Sequence, residues 1–320
     1  MIPVWGLVDD RTGHTGQVLG VIGKLGMPYL LKRLDYNWKV HFPNQLAGAS
    51  LTTLDASRSA PIAPPWPKIV IAAGRRTIPI AHYIKKKSPE TILAYLMWPQ
   101  DTKGFDLIAI PQHDGPRHGS NILTTLAPLH AVTPETLAAS REIWLPYFHH
   151  LPKPWVAVMI GGNSKRHHYT MEDWVSLITR ARDLAGAGTL LITTSRRTPK
   201  NALDLIEPML SGIPHLLHRW DSGKDNPYLG LLSCADAMIV TGDSLSMCAE
   251  ACVSGKPVYI FAPAHAAPDK HRRMHEALVK AGLARMAEPP MALDWKPSAP
   301  LDDAGLVAAA LKTRFPQITN

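Results

Sequence analysis

Four short polar stretches of this 320-residue chain carry the side chains able to hold an anion or move a proton. The first, Asp9-Asp10-Arg11-Thr12-Gly13-His14-Thr15-Gly16-Gln17, sets two carboxylates, an arginine and a histidine close together. The second is Gly161-Gly162-Asn163-Ser164-Lys165 and the third Thr194-Ser195-Arg196-Arg197-Thr198. The fourth, Thr241-Gly242-Asp243-Ser244-Leu245-Ser246-Met247, leads into a segment carrying Glu250. The last three precede helical patterns, so backbone N–H groups and the positive end of a helix dipole would face an incoming anion. That suits a diphosphate, with Arg196 or Arg197 as its clamp. Blander readings compete: turn punctuation for the glycines, a solvated arginine pair, and a plain helix N-cap at Asp243 or Ser244. Glu250 stands among Ala249, Ala251 and Cys252, and a carboxylate on so apolar a face needs a partner or a ligand.

Each stretch follows a short apolar run, and in open α/β sheets ligands bind beyond the carboxyl ends of the strands. Strands are expected at 4–8, 68–72, 91–96 and 107–110, then at 156–160, 190–193, 215–217, 237–240 and 258–261. Helical periodicity appears at 15–25, 77–86 and 134–149, then at 171–184, 199–210, 228–234, 244–253 and 269–281. Strand and helix alternate throughout, which predicts parallel sheets with helices on both faces. Pro152 and Pro154 mark a linker, because proline cannot continue the preceding helix. The expected organisation is therefore two α/β lobes, 1–151 and 152–300, with a final helix at 301–314 packing back on the first.

Other chemistries are excluded by spacing. Gly20, Gly23 and Gly26 lie within a helical pattern instead of opening one, so they are no dinucleotide fingerprint. Neither a Walker A motif nor a Gly-x-Ser-x-Gly elbow occurs. His265, His271 and His275 lack companion ligands at metal spacing and read as a solvated basic helix. Three cysteines (Cys234, Cys248 and Cys252) form no disulfide framework and suit the core of a cytoplasmic protein. The N-terminus is not a secretory signal, and no apolar run approaches a membrane span. The net charge of +8 favours phosphates or an acidic membrane face. Without a basic stripe interleaved with aromatics, nucleic acid is not an expected partner. Lys85-Lys86-Lys87 at a helix end is one membrane-facing candidate, against the alternative that these lysines complement the helix dipole.

Taken together, these stretches resemble a known family. Gly13-His14-Thr15-Gly16-Gln17, Ile71-Ala72-Ala73-Gly74-Arg75-Arg76, Phe105-Asp106-Leu107-Ile108 with Pro111-Gln112-His113-Asp114, and Gly161-Gly162-Asn163 follow its order. So do Ile192 to Thr198, Asn226-Pro227-Tyr228, Val240 to Met247, Glu250-Ala251 and Gly255-Lys256-Pro257-Val258. The family is that of the bacterial homologues of the plant elongated-mitochondria (mitochondrial fission) protein. More distantly, residues 235–260 are similar to the donor-binding segment of GT-B glycosyltransferases such as the lipid II-forming N-acetylglucosaminyltransferase.

The resemblance implies two Rossmann-like lobes of GT-B type with a nucleotide-diphosphate sugar as donor substrate and no metal or other cofactor. It implies that Glu250 holds the ribose, while Gly161, Gly162, Asn163, Ser164, Gly242, Asp243, Ser244 and Ser246, with Ser195, Arg196 and Arg197, hold the diphosphate. It places the first stretch on the acceptor side, with Arg11, Gly13, Arg75, Arg76, His113 and Asp114. The expected reaction is glycosyl transfer to a hydroxyl in the cleft between the lobes, on a lipid-linked or other membrane-associated acceptor at the inner face of the membrane. His14, or else Asp9 or Asp10, would be the general base. A nucleotide-sugar epimerase of the same fold, and a non-enzymatic scaffold recruited to a membrane, are the alternatives.

Overall fold

The structure is a computed structural model, and it describes residues 3–319. The chain forms two compact units, one made of residues 3–131 and 302–319, the other of 132–301. The first unit runs β1 (Val4–Val8), α1 (Thr12–Leu25), β2 (Tyr29–Arg33), α2 (Asn44–Ala47), β3 (Ile69–Ala72), α3 (Ile78–Lys87), β4 (Ile92–Tyr95), β5 (Leu107–Pro111) and β6 (Ile122–Thr125). Its sheet has the order β2-β1-β3-β4-β5-β6, and every pair is parallel. The central strands β1, β3 and β4 are buried along their whole length, as sheets covered on both faces require. One face packs on Val18, Val21, Ile22 and Leu25 of α1, the other on Ile80, Ala81 and Ile84 of α3.

The second unit begins with α4 (Pro134–Phe148), then β7 (Trp155–Ile160), α5 (Met171–Ala185), β8 (Thr189–Thr194), α6 (Lys200–Met209) and β9 (His215–His218). There follow α7 (Tyr228–Cys234), β10 (Ala237–Thr241), α8 (Leu245–Cys252), β11 (Val258–Phe261), α9 (Asp269–Lys280) and β12 (Arg285–Met286). The sheet order is β12-β11-β10-β7-β8-β9, again all parallel. Counted from β7, this is the doubly wound dinucleotide-type order, whose strand sequence reverses between β7 and β10.

The boundary between units falls ahead of the Pro152–Pro154 cluster. Helix α4 belongs with the second unit because Arg141 donates to the Ser233 carbonyl at the end of α7 and the Trp144 ring lies against Gly230. The last helix, α10 (Asp303–Arg314), returns to the first unit. Asp303 accepts from the Leu126 and Ala127 amides at 3.1 and 2.7 Å, Lys24 of α1 pairs with Asp302, and Val307, Ala308 and Leu311 join the α1 core.

Strands β2, β6 and β12 were not expected from the sequence, and all three lie at sheet edges. Helix α1 begins at Thr12, three residues earlier than its apolar periodicity suggests, with Thr15 N–H already bonded to the Arg11 carbonyl. Gly13 and His14 are therefore in a first helical turn and not in a loop. Among the described residues no helix is long and apolar enough to cross a membrane.

Candidate functional site

Reversals of strand order open a crevice at the carboxyl ends of the two strands concerned. In the second unit these are β7 and β10, and the stretches that follow them are Gly161–Ser164 and Gly242–Ser246. Asp243 ties the two together. It is buried, its Oδ2 accepts from Gly162 N–H at 3.0 Å, and Arg197 pairs with the same oxygen at 2.7 Å. Tyr169 donates its hydroxyl to Oδ1 at 3.4 Å. Burial pushes the Asp243 carboxyl above the ordinary range, and the Arg197 charge offsets this only in part. Gly161 N–H donates to Thr241 Oγ1 at 2.7 Å, while Ser195 and Thr198 both donate to the Gly161 carbonyl.

This corrects two expectations. The amides of Gly161 and Gly162 are not open to a phosphate, because Thr241 and Asp243 already take them. Nor is Asp243 an N-cap: its carboxylate turns to β7 and Arg197, and Ser244, the N-cap residue of α8, makes no side-chain cap. Among the described residues, the first turn of α8, including Ser246, thus has no side-chain cap on its N–H groups. Of the arginine pair, Arg197 is the clamp, on an internal carboxylate, and Arg196 is exposed. Asn163 and Ser164 shape the loop, Asn163 accepting from Tyr169 N–H and Ser164 from His167 N–H.

The close approach at Gly162 explains its residue type. Its φ is 145°, and a Cβ there would overlap the Arg197 carbonyl. Gly162→Ala is expected to destabilise the second unit by about 2 kcal/mol or more, from strain in a sparsely allowed backbone region, read as a lower thermal midpoint. An unchanged midpoint would show that the β7 and β8 loops do not need this contact.

About one and a half turns into α8, Glu250 accepts a hydrogen bond from the Tyr228 hydroxyl. Its partner is a neutral phenol, not an arginine. Burial raises the Glu250 carboxyl above the ordinary range, and the Tyr228 bond only partly opposes this. Lys256 of the Gly-Lys-Pro stretch is structural. Its Nζ donates to the Ser233 and Ala235 carbonyls, and burial lowers it to about 8. His275 and His271 correct the solvated-helix reading: His275 is buried with Nε2 2.9 Å from the Gly242 carbonyl, and His271 Nδ1 lies 3.3 Å from the same oxygen.

In the first unit the strand order reverses between β1 and β3, and the residues just beyond them are Asp9 and Arg76. The Asp9 side chain is wholly buried and Arg76 reaches it at 2.8 Å. Asp9 also accepts from Arg11 N–H at 3.0 Å and lies within 3.5 Å of His14 Nδ1. Burial works against its ionisation, but His14, the Arg11 amide and Arg76 outweigh it and hold Asp9 below the usual carboxylate range. Asp10 is exposed and shares Arg76. Beneath the guanidinium, 4.8 Å away, lies the Tyr36 ring, whose buried hydroxyl has no hydrogen-bond partner among the described residues. His14 itself rests over Gly74 (φ 88°), where a Cβ would strike the imidazole.

Arg75 does not join this cluster. It donates to the Val40 and Phe42 carbonyls and accepts, through its own carbonyl, from Asn44. His113 is buried at the end of β5 with Asp114 4.0 Å away. Tyr169 and Tyr36 were missed by sequence reasoning, since nothing in their spacing marks them, and Thr241 was quoted in the fourth polar stretch without a role of its own. Tyr228 stood in a quoted motif without a role.

A family described as Mitochondrial fission ELM1 matches residues 12–315 of the chain. An uncharacterised protein of Rickettsia prowazekii is 31% identical over 97% of this chain and 97% of its own length. The mitochondrial fission protein ELM1 of Arabidopsis thaliana is 31% identical over 62% of this chain and 52% of its own length. Among solved structures, the UDP-GlcNAc 2-epimerase of Methanocaldococcus jannaschii superposes with a TM-score of 0.52 at 11% identity, covering 97% of this chain and 99% of that one. The fold is of GT-B type, two Rossmann-like units with parallel sheets flanked by helices.

Proposed function

The chain belongs to the Mitochondrial fission ELM1 family, and from that premise we propose that it is a GT-B glycosyltransferase whose second unit holds a nucleotide-diphosphate sugar. The observation that carries the reading is Glu250, a carboxylate in a mainly apolar setting with a neutral partner, on the helix that opens at the strand-order reversal. At ~1.5 Å per residue, Glu250 lies about 7–8 Å along the helix axis from Leu245, the first residue of α8, a span comparable to the reach from a pyrophosphate to its ribose hydroxyls. The uncapped first turn of α8 receives the diphosphate, and Arg197 is shared between it and Asp243. The donor substrate is the only small molecule the reading requires; no metal ion or other cofactor is part of it.

Transfer to a hydroxyl needs a base, and the first unit supplies one. With Nδ1 donating to Asp9, His14 keeps Nε2 as proton acceptor, while Arg76 and the Arg11 amide hold Asp9 ionised. Asp10 serves Arg76 and is not the base in this reading.

Thermal melts with nucleoside diphosphates and their sugars test the proposal. A ligand at a hundred times its Kd adds roughly 2.7 kcal/mol to the unit that binds it. No shift with any nucleotide would leave the scaffold reading. A shift accompanied by turnover of the sugar nucleotide without acceptor would identify an epimerase instead.

A further inference from the structure

Residues 36–54 of the first unit contain no aspartate or glutamate, yet include Lys39 and His41. Within them a single-turn 3-10 helix, Trp38–His41, runs into α2, and three large apolar side chains stand in solvent. Trp38 is 67% exposed, Phe42 48% and Leu46 76%. The Trp38 and Phe42 rings meet edge to face with centroids 5.6 Å apart.

Such exposure ordinarily accompanies a loose loop, and this segment is tied down. Asn37 donates to the Thr52 and Leu54 carbonyls and accepts from Lys39 N–H. Arg75 reaches the Val40 and Phe42 carbonyls at 2.8 and 3.1 Å, and Val40 points into the protein. The fold thus spends an arginine, one that sequence analysis set on the acceptor side, to hold two aromatic residues and a leucine outward.

Tryptophan and phenylalanine beside basic residues are the composition of a surface that sits at the bilayer interface. The unit bearing them holds 16 Lys and Arg against ten Asp and Glu, so most of the chain's +8 lies there. The lysine run at the end of α3 is a poorer candidate, because Lys85 is committed to Asp106 and the Thr91 carbonyl. We propose that Trp38, Phe42 and Leu46, flanked by Lys39 and His41, dock the protein on an anionic lipid leaflet. This stands apart from the donor reading, since none of these residues touches that site.

Sedimentation of the whole chain with phosphatidylcholine vesicles, with and without phosphatidylglycerol, tests it. Wild type is expected to bind, more tightly with the anionic lipid. The Trp38→Ala, Phe42→Ala, Leu46→Ala triple variant should lose about tenfold or more in partitioning, from the lost burial of three apolar groups, with an unchanged melting temperature. Trp38→Phe should keep binding but show less quenching of tryptophan emission by brominated lipid. Failure of wild type to bind any vesicle, or a triple variant that binds like wild type, overturns the proposal. So does a variant that loses self-association while keeping vesicle binding, which would make the patch a contact between copies.

Discussion

Replacing Arg76 with alanine is expected to lower the melting temperature of the first unit by roughly 6–12 °C, although the residue lies partly at the surface. Its partner Asp9 has a fully buried side chain, and removing one member of a buried pair leaves an uncompensated charge. The cost is about 3 kcal/mol, at the lower end for such pairs because Asp9 can escape by taking a proton, and each kcal/mol moves the midpoint by about 2–4 °C. The sign of the pH dependence follows from the depressed Asp9 carboxyl. A carboxyl lowered in the folded state adds stability above its unfolded value, and that stability is lost as pH falls through the folded one. The gap between wild type and Arg76→Ala should therefore be widest near neutral pH and close below about pH 4. Adding Asp9→Asn to Arg76→Ala should recover part of the loss. Equal midpoints at pH 7, or a gap that widens in acid, would mean that the pair does not hold β1 to β3.

The second large effect concerns Glu250→Gln. Glutamine can still accept from the Tyr228 hydroxyl, so the internal contact survives the change. What disappears is a charged acceptor for two vicinal hydroxyls. Nucleotide binding should weaken by ~1.5–3 kcal/mol, the range for hydrogen bonds to a charged group, in titration calorimetry. Stability should move the other way. The Glu250 carboxyl is raised in the folded state, so its contribution is present below the unfolded value and lost as pH rises through the folded one. At pH 8 the variant should melt no lower than wild type, because a half-buried charge has been removed. A lower midpoint with unchanged nucleotide affinity would make Glu250 a structural residue and remove the donor site proposed here.

Both sites were legible as residues before they were legible as places. Asp9, His14, Arg197 and Asp243 stand in the polar stretches that follow apolar runs, and Glu250 stands on an otherwise apolar helix face; those positions singled them out. Which runs are neighbours is not written locally. The β7–β10 adjacency joins residues some eighty apart, and the hydrogen bond from Gly162 to Asp243 depends on it. Missing strands have a physical reason too. β2 reads Tyr-Leu-Leu-Lys-Arg with three exposed positions, and β6 ends in two threonines, so edge strands lack the unbroken apolar run of a strand covered on both faces. The same blindness hid Asp243's partners, since an N-cap and a carboxylate that turns to a neighbouring strand look identical in sequence. Similarly, His275 shares its helix with exposed basic residues, and only the packed structure reveals that it faces the Gly242 carbonyl.

Helix α10 has a consequence for how the protein is made. The second unit, residues 132–301, is one uninterrupted piece of chain, whereas the first is split around it. During synthesis from the N-terminus, β1 to β6 emerge early but lack the helix whose Val307, Ala308 and Leu311 complete their core. The intervening 170 residues take about 8–34 s to translate at ~5–20 residues per second. For that interval a six-stranded parallel sheet waits with its α1-bearing face only partly covered and the Leu126 and Ala127 amides without Asp303. The unit begun first is thus finished last, and the nascent chain offers a holding chaperone an apolar surface that the mature protein conceals.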